Sequence, residues 1–377
     1  MSNLLYVSFE DSKNQASGVN KKIFGQISAF DKKGYATDLI AVHGKNIALF
    51  KKGTSPIEIQ SKSIPRVALC RWASRHANSY SVAYIRFQFF CPFVLSMVRK
   101  LSQNNVTVIM EVPTYPYENE LRAQGFKGIL KRVIDSTYGP KCVKYIDAFV
   151  SPLYSGEILG KKSIQIYNGI DVGKVTPRNI KKDETIDLLA VAMMAPWHGY
   201  DRVIEGLHNY YAAGGRRNVV LHLVGLGAAS RDYQQLTDRY SLGAHVIQHG
   251  KKFGADLDDL YDIADIGVGS LATHRKNVMR TNTLKVLEYM SKGLPVLCDE
   301  GEEGIPQKSK YRVSVPCDDS PVPIDRIINF YDKIYSNGDI NEITQSISSY
   351  CIDNCSIEKG LHNLFEFLIW KEQGNEE

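Results

Sequence analysis

From Ile186 onward, short β-branched runs alternate with segments of helical periodicity, and few architectures accept that alternation. The runs are Ile186 to Ala192, Val219 to Gly225, His245 to His249, Ile266 to Ser270, Leu294 to Leu297 and Arg312 to Val315. Between them lie helical stretches at Tyr200 to Ala212, Ser230 to Tyr240, Asp256 to Ala264 and Thr283 to Lys292. Strand and helix in this order build a parallel, doubly wound sheet, which binds ligands beyond the carboxyl ends of its strands.

The first half repeats the plan less regularly. Leu4 to Phe9 reads as a strand, Val19, Ile23, Ile27 and Phe30 mark a helix, and Ala36 to Val42 is a second strand. Further strands are expected at Arg66 to Cys70, Val106 to Val112, Ala148 to Ser151 and Ser163 to Tyr167, with a helix from Phe93 to Gln103. Asn168 to Lys182 is rich in turn residues and charge and reads as a hinge. The 377 residues therefore divide into one Rossmann-like domain over 1–175 and a second over 176–355. A last helix over 356–377 has Leu361, Leu364, Phe365, Leu368 and Ile369 at helical spacing and is expected to pack across the junction, back toward the first domain. The fold class is α/β, two doubly wound domains facing each other across a cleft.

Charge and cysteine usage exclude several classes. A net charge of +5 without a dense Lys/Arg run and interleaved aromatics does not suit a nucleic-acid binder. Seven cysteines without paired spacing point to reduced thiols and a cytoplasmic protein, as does the lack of a signal segment at the start. Val82 to Val98 is the most apolar stretch, but Arg86, Gln88 and Pro92 interrupt it and it is too short for a membrane span. Over residues 122–144, Arg122, Lys127, Lys131, Arg132, Lys141 and Lys144 accompany Ile129, Leu130, Val133 and Ile134 against the single acid Asp135. That pattern suits a surface lying on anionic lipid at the inner face of the plasma membrane, or one holding a phosphorylated substrate; a solvated helix face is the alternative.

Residues 279–300, "MRTNTLKVLEYMSKGLPVLCDE", combine packing with chemistry. Leu284, Leu287 and Met290 form an apolar stripe, Lys285, Glu288 and Lys292 fall on another face, and Gly293 ends the helix. Thr281 or Thr283 can cap its start, leaving the first N–H groups open to an anion.

The ordered set of motifs resembles glycosyltransferases of the GT-B fold, family 4 type, found among bacterial capsular and exopolysaccharide enzymes. The matching stretches are "SGVNKKIFGQISAF" (17–30), "EVPTYPYENEL" (111–121), "YNGID" (167–171), "WHGYDRVIEGL" (197–207), "VGLG" (224–227) and "TLKVLEYMSKGLPVL" (283–297). The resemblance implies that the helix start at Thr281, Asn282 and Thr283 receives the diphosphate and sugar of a nucleotide donor, with Glu288 on the ribose hydroxyls. Gly18, Asn168, Gly225 and Arg280 join them as donor-binding residues, and Lys285, Arg275 and His198 are the cations expected to steady the leaving diphosphate. Gly225 and Gly18 have plain turn and helix-start readings beside the functional ones. Glu111, Thr114, Tyr115 and Tyr117 form the expected acceptor side, with a purely structural loop as the alternative.

Two departures from the family stand out. Members often carry two glutamates with seven residues between them, and Arg280 stands where the first would be. The usual arginine and lysine after the first donor-domain strand fall at Met193 and His198. The implied reaction is retaining transfer from a nucleotide-diphosphate sugar, UDP-linked by family habit, to a glycan or polyprenyl-linked acceptor. The leaving phosphate takes the acceptor proton, and no cofactor or metal is expected. A catalytically inactive subunit that supports a partner glycosyltransferase and a nucleotide-sugar epimerase are the competing readings.

Overall fold

The computed structural model describes residues 2–14, 18–115, 117, 126–171, 177–178, 184–336 and 338–374. The chain forms two compact units, Met1–Tyr167 with Ile357–Glu377 and Asn168–Ser356. The sequence boundary at 175/176 and most of the expected hinge lie outside the described residues.

In the first unit, β1 (Asn3–Asp11), α1 (Gly18–Lys32) and β2 (Ala36–His43) are followed by a hairpin of β3 (Asn46–Phe50) and β4 (Ile57–Ile59). Next come α2 (Pro65–Arg75), β5 (Val82–Arg86), α3 (Pro92–Ser102), β6 (Thr107–Glu111), α4 (Phe126–Cys142), β7 (Ala148–Pro152), β8 (Glu157–Ile158) and β9 (Lys161–Ile166). The described strands make one sheet in the order β4-β3-β2-β1-β5-β6-β7-β9-β8. It is parallel from β2 to β9, with antiparallel additions at both edges.

Alternation along β1 explains the two faces: Leu5 and Val7 join the core under α2 and α3, while Leu4 and Tyr6 join the core under α1. That second core is completed from the far end of the chain, where Ile357, Leu361, Leu364, Phe365 and Leu368 pack beside Ile23 and Phe30. The Phe30 and Phe365 rings meet edge to face at 5.6 Å.

One expected strand is a helix. Arg66 to Cys70 belongs to α2, because Pro65 preorganises a first helical turn and Leu69, Cys70 and Ala73 bury one side at helical spacing. The strand expected there is instead β5, all five residues of which are buried. It lies at the start of the most apolar stretch, whose Arg86 obscured it.

The second unit runs β10 (Ile186–Val191), α5 (Tyr200–Ala212), β11 (Val219–Val224), α6 (Ser230–Arg239), β12 (Val246–Gly250), α7 (Ala255–Ile263), β13 (Ile266–Val268), α8 (Leu284–Ser291), β14 (Val296–Asp299) and β15 (Arg312–Val315). Helices α9 (Ile324–Tyr335) and α10 (Ile340–Asn354) follow; α11 (Ile357–Gly360) and α12 (His362–Glu372) are the segment returned to the first unit. The sheet order is β12-β11-β10-β13-β14-β15, all parallel, so the chain reverses direction between β10 and β13. That switch point is where such sheets open a crevice.

Helix α8 lies against β13 because the strand offers glycine there: a Cβ at Gly267 would stand 2.3 Å from the Tyr289 ring. Serine contacts secure its far end, with Ser348 Oγ donating to the Ser291 carbonyl at 2.8 Å.

The returning helices should carry stability out of proportion to their length. Leu364→Ala removes a fully buried side chain and is expected to cost about 2–5 kcal/mol in urea unfolding, whereas Ile369→Ala, on the exposed side of α12, should stay within about 0.5 kcal/mol. Equal losses would show that α12 is only laid on the surface.

Candidate functional site at the switch point of the second sheet

Three segments converge at the switch point of the second sheet. The loop after β10 brings His198, the end of β13 brings Ser270, and the first turn of α8 brings Lys285. The two loops are tied by the Leu271 N–H, which donates to the His198 carbonyl at 3.0 Å. Lys285 Nζ lies 2.9 Å from His198 Nδ1 and 3.3 Å from both Tyr200 Oη and Ser270 Oγ. It also stands 5.7 Å over the Tyr200 ring.

The hydrogen bonds decide the state of the histidine. His198 Nε2 is 3.1 Å from the Met193 carbonyl, which only accepts, so Nε2 carries the proton and Nδ1 accepts from Lys285. Burial first, then the Lys285 charge, pushes the imidazole pKa down to about 3. His198 is therefore neutral and cannot serve as the phosphate-binding cation expected from sequence; it orients Lys285 instead.

Burial likewise pushes the Lys285 ammonium down to about 7, with Lys276 adding repulsion and Glu302 and Asp299 opposing. Lys276, a residue the sequence reading passed over, sits 5.6 Å over the Trp197 ring. An anion beside these two mutually repelling cations would relieve them.

At the start of α8 the structure departs from the sequence reading. Thr283 occupies the N-cap position, yet its hydroxyl makes no capping bond and donates to Glu302 Oε2 at 2.7 Å. The Thr283 N–H, expected to face an incoming anion, points at both Glu302 oxygens at 3.2 and 3.1 Å. The Gly304 N–H at 2.9 Å and the Thr281 hydroxyl at 3.3 Å complete the cradle. The loop after β14 folds back to do this, with Thr281 N donating to the Gly301 carbonyl and Glu303 N to that of Thr281. Glu302 is 1% exposed, and burial raises its pKa to about 7 against the pull of these donors and Arg312.

Arg275, expected to steady the diphosphate, and Arg280, expected to contact the donor, are both engaged elsewhere. Arg275 binds Asp201 in a bidentate fork at 2.9 and 2.7 Å, donates from Nε to Asp319 at 2.7 Å, and reaches the Pro196 carbonyl at 2.8 Å. These partners hold its charge above even the usual arginine range, so it clamps the loop before α5 rather than presenting an open fork. Arg280 pairs bidentately with Glu303 at 2.5 and 2.7 Å on the surface.

Asn168 and Asn282 meet, and they bond each other: the Asn168 N–H donates to the Asn282 side-chain oxygen, and the Asn168 amide to the Asn282 carbonyl at 2.5 Å. Gly225 has φ +125°, and a Cβ there would stand 1.8 Å from the Ala192 carbonyl oxygen, so the turn itself demands glycine. Glu288 lies partly buried one turn beyond Lys285.

Of the acceptor-side residues in the first unit, Glu111 is corrected. It is 0% exposed, and its oxygens accept from Lys22 at 2.8 Å, Arg86 at 2.7 Å, Tyr84 at 2.7 Å and Gln26 at 3.1 Å. Burial alone would raise its pKa; Lys22 and Arg86 outweigh that and hold it down at about 2. Such a carboxylate locks α1 to β5 and β6 and has no lone pair to offer a substrate. Thr114 and Tyr117 do line a cavity, whereas Tyr115 packs on Tyr154 at 4.5 Å. Pro116 and residues 118–121 of the same loop lie outside the described residues. Gly18 opens α1 with space around it, since a Cβ there would meet nothing within 4 Å.

Residues 185–332 match the family model described as Glycosyl transferases group 1. No curated protein matches the chain. Among solved structures, HepE of Anabaena in complex with UDP is similar at 12% identity and a TM-score of 0.62, covering 97% of this chain and 99% of that one. The sucrose-phosphate synthase of Thermosynechococcus elongatus is similar at 15% identity and a TM-score of 0.64, covering 98% and 100%. A glycosyltransferase from Rickettsia africae is similar at 14% identity and a TM-score of 0.60, covering 100% and 99%. These likenesses show the fold, which is GT-B.

Glu302 makes the cradle testable through pH. A carboxyl whose pKa rises from 4.5 to about 7 on folding holds its proton more tightly in the native state. The stability it contributes is therefore full below pH 4.5 and is lost as the pH climbs to about 7. Because buried His198 adds an opposite, rising contribution up to pH 6.5, the quantity to read in urea unfolding is a difference: the stability of the parent relative to Glu302→Gln should fall by on the order of 3 kcal/mol from pH 4.5 to 8. Identical pH profiles would mean that Glu302 is an ordinary carboxylate.

Proposed function

We propose that this chain, a GT-B protein whose residues 185–332 form a group 1 glycosyltransferase domain, transfers a sugar from a uridine diphosphate sugar to a glycan acceptor with retention of configuration. The observation that carries the reading is the convergence of Lys285, Ser270 and His198 at the switch point of that domain. HepE of Anabaena has been solved with UDP and with UDP-glucose, which supports uridine as the base here.

In this reading Lys285 bonds the diphosphate and stabilises the negative charge that grows on it as the glycosidic bond breaks. Lys276 adds a second positive charge, and neutral His198 holds the Lys285 ammonium in place through Nδ1. Ser270 offers a hydroxyl donor, and Glu288 accepts from the ribose hydroxyls. The leaving phosphate draws the proton from the acceptor hydroxyl on the same face of the sugar, so no protein base is assigned. Metal independence belongs to the proposal, and transfer should survive chelation by EDTA.

The acceptor is read as lipid-linked because α4 exposes apolar side chains beside cations. Ile129, Leu130 and Val133 are 57%, 56% and 58% exposed, and Lys127 and Arg132 stand among them. Arg122, the first cation of that surface in sequence, lies outside the described residues. Among the described residues no helix is long and apolar enough to cross a membrane, so this face supplies the lipid contact in the proposal.

Two experiments test these assignments. Above pH 7 free Lys285 has largely lost its proton, and a bound diphosphate would restore it. Calorimetric titration with UDP should therefore show proton uptake at pH 8 and affinity that weakens from pH 7 to 9. Lys285→Met should abolish the uptake, and Glu288→Ala should weaken binding about tenfold without lowering the melting temperature; UDP binding with no proton exchange in the parent would remove Lys285 from the diphosphate. For the membrane face, Ile129→Asp with Leu130→Asp and Val133→Asp should cut flotation with phosphatidylglycerol vesicles at least tenfold while transfer to a soluble acceptor persists. Equal flotation would return α4 to an ordinary solvated helix.

A further inference from the structure

The first unit has its own switch point, between β1 and β5, and a cavity of about 500 Å³ opens there. Its wall combines the ends of β1, β5 and β6 with α2 and α4. Among the described residues three basic side chains, Arg66, Arg86 and Lys131, face it against the single acid Glu10, and Thr114 and Tyr117 supply polar and aromatic surface.

The charge behind the wall makes this more than a basic patch. Arg86 and Lys22 both stand on Glu111, so two buried cations share one carboxylate whose oxygens are already met by four donors. The cluster thus carries a surplus positive charge in a water-poor place, and the cavity is the side from which it can be compensated. Glu10 acts on Arg86 from that side and offsets part of the surplus. Asp135, the acid behind Tyr117, is already met by the Phe90 N–H at 2.6 Å and the Tyr117 hydroxyl at 2.8 Å. Among the described residues Arg66 has no acid partner, and Lys131 lies 5.7 Å over the Phe89 ring.

We propose that this cavity is an anion site that receives the phosphoryl group of the acceptor, with Arg86 in its floor and Arg66 and Lys131 at its rim. An arginine fork matches phosphate oxygens in geometry as well as charge, and the volume accommodates a diphosphate with an attached sugar. The helix that exposes Ile129, Leu130 and Val133 is the one that brings Lys131 to the rim, which favours a lipid-borne phosphate over a free one. The proposal rests on the acceptor reading given above and gives that acceptor a chemical class.

The test uses the full chain and titration calorimetry with pyrophosphate, farnesyl diphosphate and glucuronate, each with and without saturating UDP. Arg66→Glu combined with Lys131→Glu reverses the rim charge without entering the buried cluster. Both diphosphates should bind the parent and lose at least tenfold in affinity in the double variant, while UDP affinity stays within twofold. Tighter binding of farnesyl diphosphate than of pyrophosphate supports a lipid source for the phosphoryl group, and equal binding supports a phosphate carried otherwise. Diphosphate affinity unchanged in the double variant, or loss of glucuronate binding in its place, overturns the assignment. A parent that binds pyrophosphate but not UDP defeats the donor reading alone, and the titrations without UDP still decide the cavity.

Discussion

The close approach of α8 to β13 governs where the polar side chains of the second unit come to rest. Gly267 leaves room for the Tyr289 ring, and Tyr289 in turn accepts the Val191 N–H at 2.7 Å, so helix, central strand and neighbouring strand are fixed together. One turn earlier on the same helix, Lys285 is thereby delivered to Ser270 and His198. A larger residue at 267 would lift the helix from the sheet and with it the ammonium group. The chemistry at the switch point is in this sense set by an absent side chain several ångströms below it.

Two buried glutamates show how partners set the charge of the same functional group. Glu111 and Glu302 are both withdrawn from water. Glu111 meets a lysine and an arginine directly and is held ionised down to about pH 2. Glu302 meets chiefly neutral donors, two backbone amides and two threonine hydroxyls, and its pKa climbs to about 7. Full charges offset the cost of burial; dipoles offset only part of it. The first carboxylate is a fixed strut, while the second sits near the midpoint of its titration at neutral pH.

Much of the second unit was legible in sequence, because strands buried on both faces of a parallel sheet stand out as short apolar runs and the helices between them keep a period of 3.6. The misreading of α2 came from the short apolar run Val67 to Cys70, whose helical character lies in Pro65 and in the spacing of Leu69 and Ala73. For the candidate site, the sequence singled out Lys285 and His198 by position but not their protonation, which depends on the Met193 carbonyl and on burial. The engagement of Arg275 by Asp201 joins residues 74 apart, and that of Arg280 by Glu303 joins residues 23 apart, distances over which no local pattern operates. Glu302 was invisible for another reason. In "CDEGEEG" four acids stand within five positions, and only the fold separates the two that are buried, Asp299 and Glu302, from Glu300 and Glu303.

The return of α11 and α12 to the first unit has a consequence for the order in which the protein is made. Leu361, Leu364, Phe365 and Leu368 complete a core begun by Leu4 and Tyr6, and the whole second unit is encoded between them. On the ribosome the first unit must wait, with one apolar face uncovered, until translation has passed residue 368, whereas the second unit has its entire sequence by Ser356. The later-encoded unit is thus the first able to finish folding, and the early one is the segment that a chaperone would have to shield.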